Sequence, residues 1–193
     1  MKKDYITYAK ECVNGTLERV NTMLEPFGFS ASEEHGYDFS EEGTALLGAY
    51  VDGSVFEKDI RIAVNYEACL SEADLMKGYA AEKDIDGCMR EALESTVWHE
   101  AVHGLWQGMD DLLRDCEDFR TAFWSGLSPE EKRELRDMTE AFRKDEERHV
   151  ESAALALFLH GTLEAAAKYR VRGIPLYPEC RVFLRCRHAL GNF

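Results

Sequence analysis

The chain has 193 residues, 45% of them hydrophobic and 31% charged, a balance that suits one folded domain rather than a disordered polymer. A formal net charge of −14 repels phosphate backbones and argues against nucleic acid as a partner. No apolar run approaches the roughly 20 residues that span a bilayer, and Met1-Lys2-Lys3 leads into no apolar segment, so no membrane partner and a cytoplasmic location are expected.

In chain order, Ile6, Ala9, Val13, Leu17, Val20 and Leu24 recur at helical spacing and predict an N-terminal helix over about 5–25, stopped by Pro26 and Gly28. A Gly- and acid-rich stretch follows to Gly43. Thr44–Val51 and Val55–Val64 read as strands, with Asp52-Gly53 as a hairpin signal between them. Leu70–Lys83 reads as helical. A long helix is predicted from about Cys88 to Gln107, and further helices over Asp110–Trp124 and Pro129–Leu159. Ser128-Pro129-Glu130-Glu131 marks the start of the last of these, with a capping serine, a first-turn proline and acids against the dipole. A short helix reaches Tyr169, and the Arg-rich tail, 170–193, reads as loop-rich and folded back on the acidic body. Helix, small sheet, then helices predicts one α+β domain over 1–193 with its core at about 44–160. The six cysteines form no CxxC pair and no scaffold spacing, which predicts free and mostly buried thiols.

One pattern carries chemistry. His99-Glu100-Ala101-Val102-His103 is an HExxH segment on a predicted helix. Residues four apart share a helix face, so one cation can bind both imidazoles. Glu100 lies about 60° around the wheel from His103, beside such a cation, where a carboxylate can take a proton from metal-bound water. Leu93, Val97, Trp98, Ala101, Val102, Leu105 and Met109 form an apolar back. Gly104 and Gly108 lie on that back, where a neighbouring helix can pack closely, and Trp106 is expected to wall the histidine pair. The competing interpretation is a solvated helix face carrying two histidines and a glutamate.

Catalytic zinc takes a third protein ligand and leaves a fourth position to water. The extended form HExxHxxGxxH is excluded by Trp106 and Met109, and Asp110 falls one position late. Downstream, Glu147, Val150, Glu151, Ala154 and Phe158 form one helical stripe headed by two acids. Glu147 is assigned as the third ligand. Glu151, one turn on, is placed to accept the free ring N–H of a ligating histidine. His149 projects to the far side and is the weaker candidate. Without a metal, Glu147 and Glu151 would pair with Arg143 or Arg148 instead.

The pair HEAVH, followed some forty residues later by the acid-headed segment EERHVESAALAL, resembles the minimal gluzincin type of zincin metallopeptidase. It is also similar to short zincin-like proteins of bacterial and phage genomes. The resemblance spans roughly Thr44–Leu159. It implies a zincin-like fold, a small, mainly antiparallel sheet packed on an active-site helix and a second, glutamate-bearing helix. It also implies Zn2+ on His99, His103 and Glu147, with Glu100 as catalytic base. The expected function is hydrolysis of a peptide or protein substrate, with the strand Ile60–Asn65 offering an edge to an extended chain. No motif marks an oxyanion-stabilising residue; Tyr169, Tyr177 and His160 qualify by residue type alone. The alternatives are a catalytically silent zinc-binding regulatory or interaction module, and a helical structural protein without metal.

Overall fold

A computed structural model describes residues 5–41, 46–51, 58–79 and 84–191. It is mostly helical with one small mixed sheet, an α+β arrangement. The expected Asp52-Gly53 hairpin turn, and the ends expected for the neighbouring strands at Thr44 and Val55 and for the helix at Lys83, lie outside the described residues.

Helix α1, Tyr5–Leu24, buries Ala9, Val13, Leu17, Val20 and Leu24 along one face. A single 3-10 turn over Glu25–Phe27 and a left-handed Gly28 reverse the chain into β1, Ser30–Glu33. No strand was expected there, because the segment is short and polar, with Ala31 its one buried residue. The Asn21 side chain holds that strand from α1: its amide donates to the Ala31 carbonyl (3.0 Å) and accepts from the Ala31 N–H (2.6 Å).

Strands β2, Gly48–Val51, and β3, Asp59–Val64, complete the sheet in the order β1-β3-β2. β1 runs parallel to β3 and β2 antiparallel to it, so the sheet is mixed rather than mainly antiparallel. β3 is therefore the central strand. The edge expected at Ile60–Asn65 is occupied on both sides, and β2 carries an outer edge with no strand paired to it among the described residues. Ile60, Ile62 and Val64 alternate onto the buried face.

After α2, Tyr66–Tyr79, the helix α3 runs unbroken over Ile85–Asp115, 31 residues. That is about 46 Å at 1.5 Å per residue. The break expected between Gln107 and Asp110 falls instead at Cys116; Gly108 does not end the helix, because it is packed against Phe29 rather than exposed. Gly48, Gly104 and Gly108 let the sheet side approach α3. A Cβ at Gly104 would stand 2.5 Å from Ile60, one at Gly48 2.5 Å from Thr96, and one at Gly108 2.6 Å from Phe29. The surface that packs on Gly104 and Gly108 is thus the sheet and its approach, not another helix.

Beyond α4, Glu117–Trp124, a full capping box at Ser128 and Glu131 opens α5, Pro129–Lys144. The single long helix expected over 129–159 breaks at Asp145 (φ −148°, ψ 68°), and α6, Glu146–His160, begins afresh. Its first turn carries Glu146 and Glu147, acids that favour a helix start. Trp106 stacks on Phe142 of α5 at 4.3 Å between ring centroids and does not wall the histidine pair.

Helix α7, Leu163–Lys168, and a two-stranded ribbon, β4 (Arg170–Val171) with β5 (Ile174–Pro175), lead to α8, Glu179–Leu190. The tail is therefore helical where loop was expected. Val182, Phe183, Cys186 and Ala189 are fully buried. Its arginines do fold back: Arg185 donates to the carbonyls of Phe123 (2.6 Å), Ala122 (2.9 Å) and Ser125 (2.6 Å), Arg181 pairs with Glu134 (2.9 Å), and Arg187 pairs with Glu164. Cys69, Cys88, Cys180 and Cys186 are buried, Cys12 and Cys116 half-buried, and all six thiols are free.

Candidate metal centre

α3 presents His99 and His103 from successive turns of its one polar face, and α6 packs across that face so that its first turn meets them. The two Nε2 atoms stand 3.1 Å apart. Glu147 spans both: Oε1 lies 3.1 Å from His99 Nε2 and Oε2 lies 3.0 Å from His103 Nε2. The three residues together form a group able to hold a metal ion. Donors each about 2.0–2.1 Å from a tetrahedral ion stand about 3.3 Å apart, close to these separations.

The chemistry of the donors agrees with their spacing. His103 Nδ1 meets Glu146 Oε1 at 2.8 Å. With the proton on Nδ1, donated to that carboxylate, Nε2 keeps its lone pair and turns it toward Glu147 and His99. Burial, and then the neighbouring His103, push the His99 pKa down, which favours its neutral form and a second free lone pair. Two ring lone pairs and a carboxylate facing one point form a set that a divalent cation satisfies. His99 and His103 side chains are 23% and 15% exposed and Glu147 72%, so the centre has a shielded floor and an open mouth.

Glu100 sits one residue along α3 and is 9% exposed. Burial pushes its carboxyl up to about 7, against the opposing pull of His103 and of a hydrogen bond from the Tyr50 backbone N–H. That N–H is available for a structural reason. Asn65 N–H donates to the Leu47 carbonyl across the β2–β3 ladder (2.8 Å), so residues 48 and 50, one and three positions on, turn their backbone groups outward. The outward Tyr50 N–H is the one that meets Glu100. Gly48, with no side chain, lets the strand lie against Thr96 and Glu100 of the helix.

These groups border a cleft of about 390 Å³ between β2, α3 and α6, lined by Gly48, His99, Glu100, Glu147 and Glu151 and by an apolar stretch of α6. Glu151 lines the cleft near enough to His99 for its charge to raise that ring's pKa, but among the described residues no hydrogen bond joins it to either imidazole. The partner of the ring N–H is Glu146, which sequence reasoning passed over. Its signal was the start of a helix at Asp145-Glu146-Glu147, hidden by treating residues 129–159 as one helix.

His149 lies on the opposite side of α6, bonded to Glu179 at 3.0 Å and tilted against Phe142. Asp110 is held by Arg143 at 2.7 Å. Neither belongs to the group of metal donors. Tyr169, Tyr177 and His160 pack against one another, with His160 4.6 Å from Tyr169 and 5.6 Å from Tyr177 between ring centroids, and none of them lines the cleft. Set against family models, curated proteins and solved structures, the chain matches none.

Proposed function

We propose that the protein is a zinc-dependent peptidase of zincin-like type, with His99, His103 and Glu147 as metal ligands and Glu100 as general base. The observation that carries this reading is the meeting of two imidazole Nε2 atoms and one carboxylate within 3.1 Å beside a cleft that Glu100 also lines. Zinc bound there would supply an activated water and polarise a substrate carbonyl.

The remaining work falls to the chain. Glu146 keeps the proton of His103 on Nδ1 and fixes that ring's orientation. Glu100, buried beside the ligand pair on the cleft wall, accepts a proton from water and returns it to the leaving nitrogen. The outer edge of β2 offers backbone groups at Gly48 to an extended substrate by strand addition. The products are the new carboxylate and the free amine.

A catalytically silent zinc-binding module is the second reading. It is favoured by the cleft lining, where no tyrosine, lysine or arginine is placed to hold a tetrahedral oxyanion among the described residues. Glu100→Gln separates the two. The peptidase reading expects zinc content unchanged, measured by atomic absorption, and peptide hydrolysis down by at least about 100-fold. A wild-type protein that holds one zinc but cleaves no peptide in a diverse pool establishes the silent module.

A further inference from the structure

The cleft continues well beyond the candidate ligands. Its α6 wall consists of positions 147, 151, 154, 155 and 158, the spacing of a single helix face. Eleven residues of helix rise about 16 Å, a distance that an extended peptide covers in about five residues. The character of that wall changes along its length. Glu147 and Glu151 head it, one turn apart, and Ala154, Leu155 and Phe158 follow. Leu47 faces them from the approach to β2.

Glu151 is exposed and, among the described residues, makes no hydrogen bond and no ion pair. No lysine or arginine lines the cleft among those residues either. A single exposed leucine on a protein surface needs no occupant. Glu151, the apolar stripe of α6 and the outer backbone groups of Gly48 border one cleft, and an extended peptide with a cation and an apolar side chain complements all three.

We propose that the cleft selects extended peptides with a basic side chain next to the scissile bond, seated on Glu151, and an apolar side chain beyond it, seated on Ala154, Leu155 and Phe158. The charge of Glu151, which is not among the metal ligands, attracts an ammonium or guanidinium group and repels an acid at the same place. The apolar stripe then gives the next side chain a surface to bury. This inference rests on the hydrolytic reading of the centre and adds the substrate class to it.

The test is equilibrium binding to the full-length Glu100→Gln protein in zinc-containing buffer, where peptide is not consumed. The probes are end-blocked pentapeptides with a central Lys-Leu, Glu-Leu, Lys-Ser or Gln-Leu pair, each also made in reversed order. Binding is read by calorimetry. Lys-Leu is expected to bind about tenfold tighter than Glu-Leu, with Gln-Leu between them and Lys-Ser weakened. Glu151→Gln is expected to remove the charge preference and Glu151→Lys to invert it, while Phe158→Ser removes the leucine preference alone. An arm with a free N-terminus separates a side-chain cation from an α-amine; tight binding that needs the free amine overturns the side-chain assignment. Equal affinity for Lys-Leu and Glu-Leu, a preference that survives Glu151→Gln, or no binding of any probe overturns the inference. Wild-type hydrolysis is followed in parallel. Selective binding without cleavage refutes the hydrolytic reading alone, and cleavage indifferent to the basic residue refutes the specificity alone.

Discussion

At the scale of single residues, the candidate centre turns on which atoms meet. Glu147 touches both imidazoles, Glu146 touches the outer nitrogen of one, and His149 faces away toward Glu179. Zinc affinity is therefore expected to collapse in His103→Ala and Glu147→Ala, to fall about 10- to 100-fold in Glu146→Ala, and to hold in His149→Ala. Competition against a zinc chelator of known affinity ranks the four, and a stronger loss in His149→Ala than in Glu147→Ala would move the third ligand. Glu100 gives a separate test on metal-free protein. Its folded pKa of about 7 lies above the ordinary 4.5, so the folded state binds the extra proton between those values. Stability is thus retained at pH 4.5 and lost as the pH rises through 7, by on the order of 3 kcal/mol. Glu100→Gln, which can still accept the Tyr50 N–H, is expected to raise the melting temperature of chelated protein at pH 8 and to leave it nearly unchanged at pH 4.5. A gain that does not depend on pH would show that burial of the charge is not its cause.

At the scale of elements, three glycines set the distance between sheet and helix. Gly48→Ala and Gly104→Ala each force a Cβ to 2.5 Å from a side-chain carbon across the interface, and overpacking of that kind costs about 1–3 kcal/mol. Gly15 lies inside α1 with nothing within 4 Å of an added Cβ, so Gly15→Ala is expected to stabilise by up to about 1 kcal/mol. Urea denaturation of the three variants checks both signs. The elements also mark how much the sequence disclosed. The apolar periodicity of α1, the capping box of α5 and the HExxH spacing on α3 are local signals, and each is found where it points. β1 is not locally encoded: Ser30–Glu33 becomes a strand because β3 and Asn21 give its backbone partners on both sides. The same holds for α8, whose Phe183 and Cys186 look unremarkable among arginines until the other helices bury them. At the site, the helix spacing fixed the faces of His99, Glu100 and His103. It did not disclose that α6 restarts at Asp145, and that restart brings Glu146 rather than Glu151 to the ring nitrogen.

At the scale of the molecule, no disulfide joins distant parts of the chain, and no described helix is long and apolar enough to cross a membrane. Long-range ties are noncovalent instead. α8 closes over the ends of α4 and α5 through Arg185 and Arg181, and the histidine–glutamate cluster joins α3 to α6. His103 and Glu146 are 43 residues apart in sequence and 2.8 Å apart in space. That clasp makes a noose of the segment holding α4 and α5, with the exposed, left-handed Gly126 at its bend. Cutting the noose at that bend changes what the clasp must do. In an intact chain it closes a loop at a modest entropic cost, whereas in a nicked one it helps hold two separate polypeptides together. With His99 and His103 on one piece and Glu147 on the other, chelation is expected to make protein cleaved at Gly126 fall apart on dilution at a higher concentration than the metal-loaded pair does, a loss the uncut chain cannot suffer.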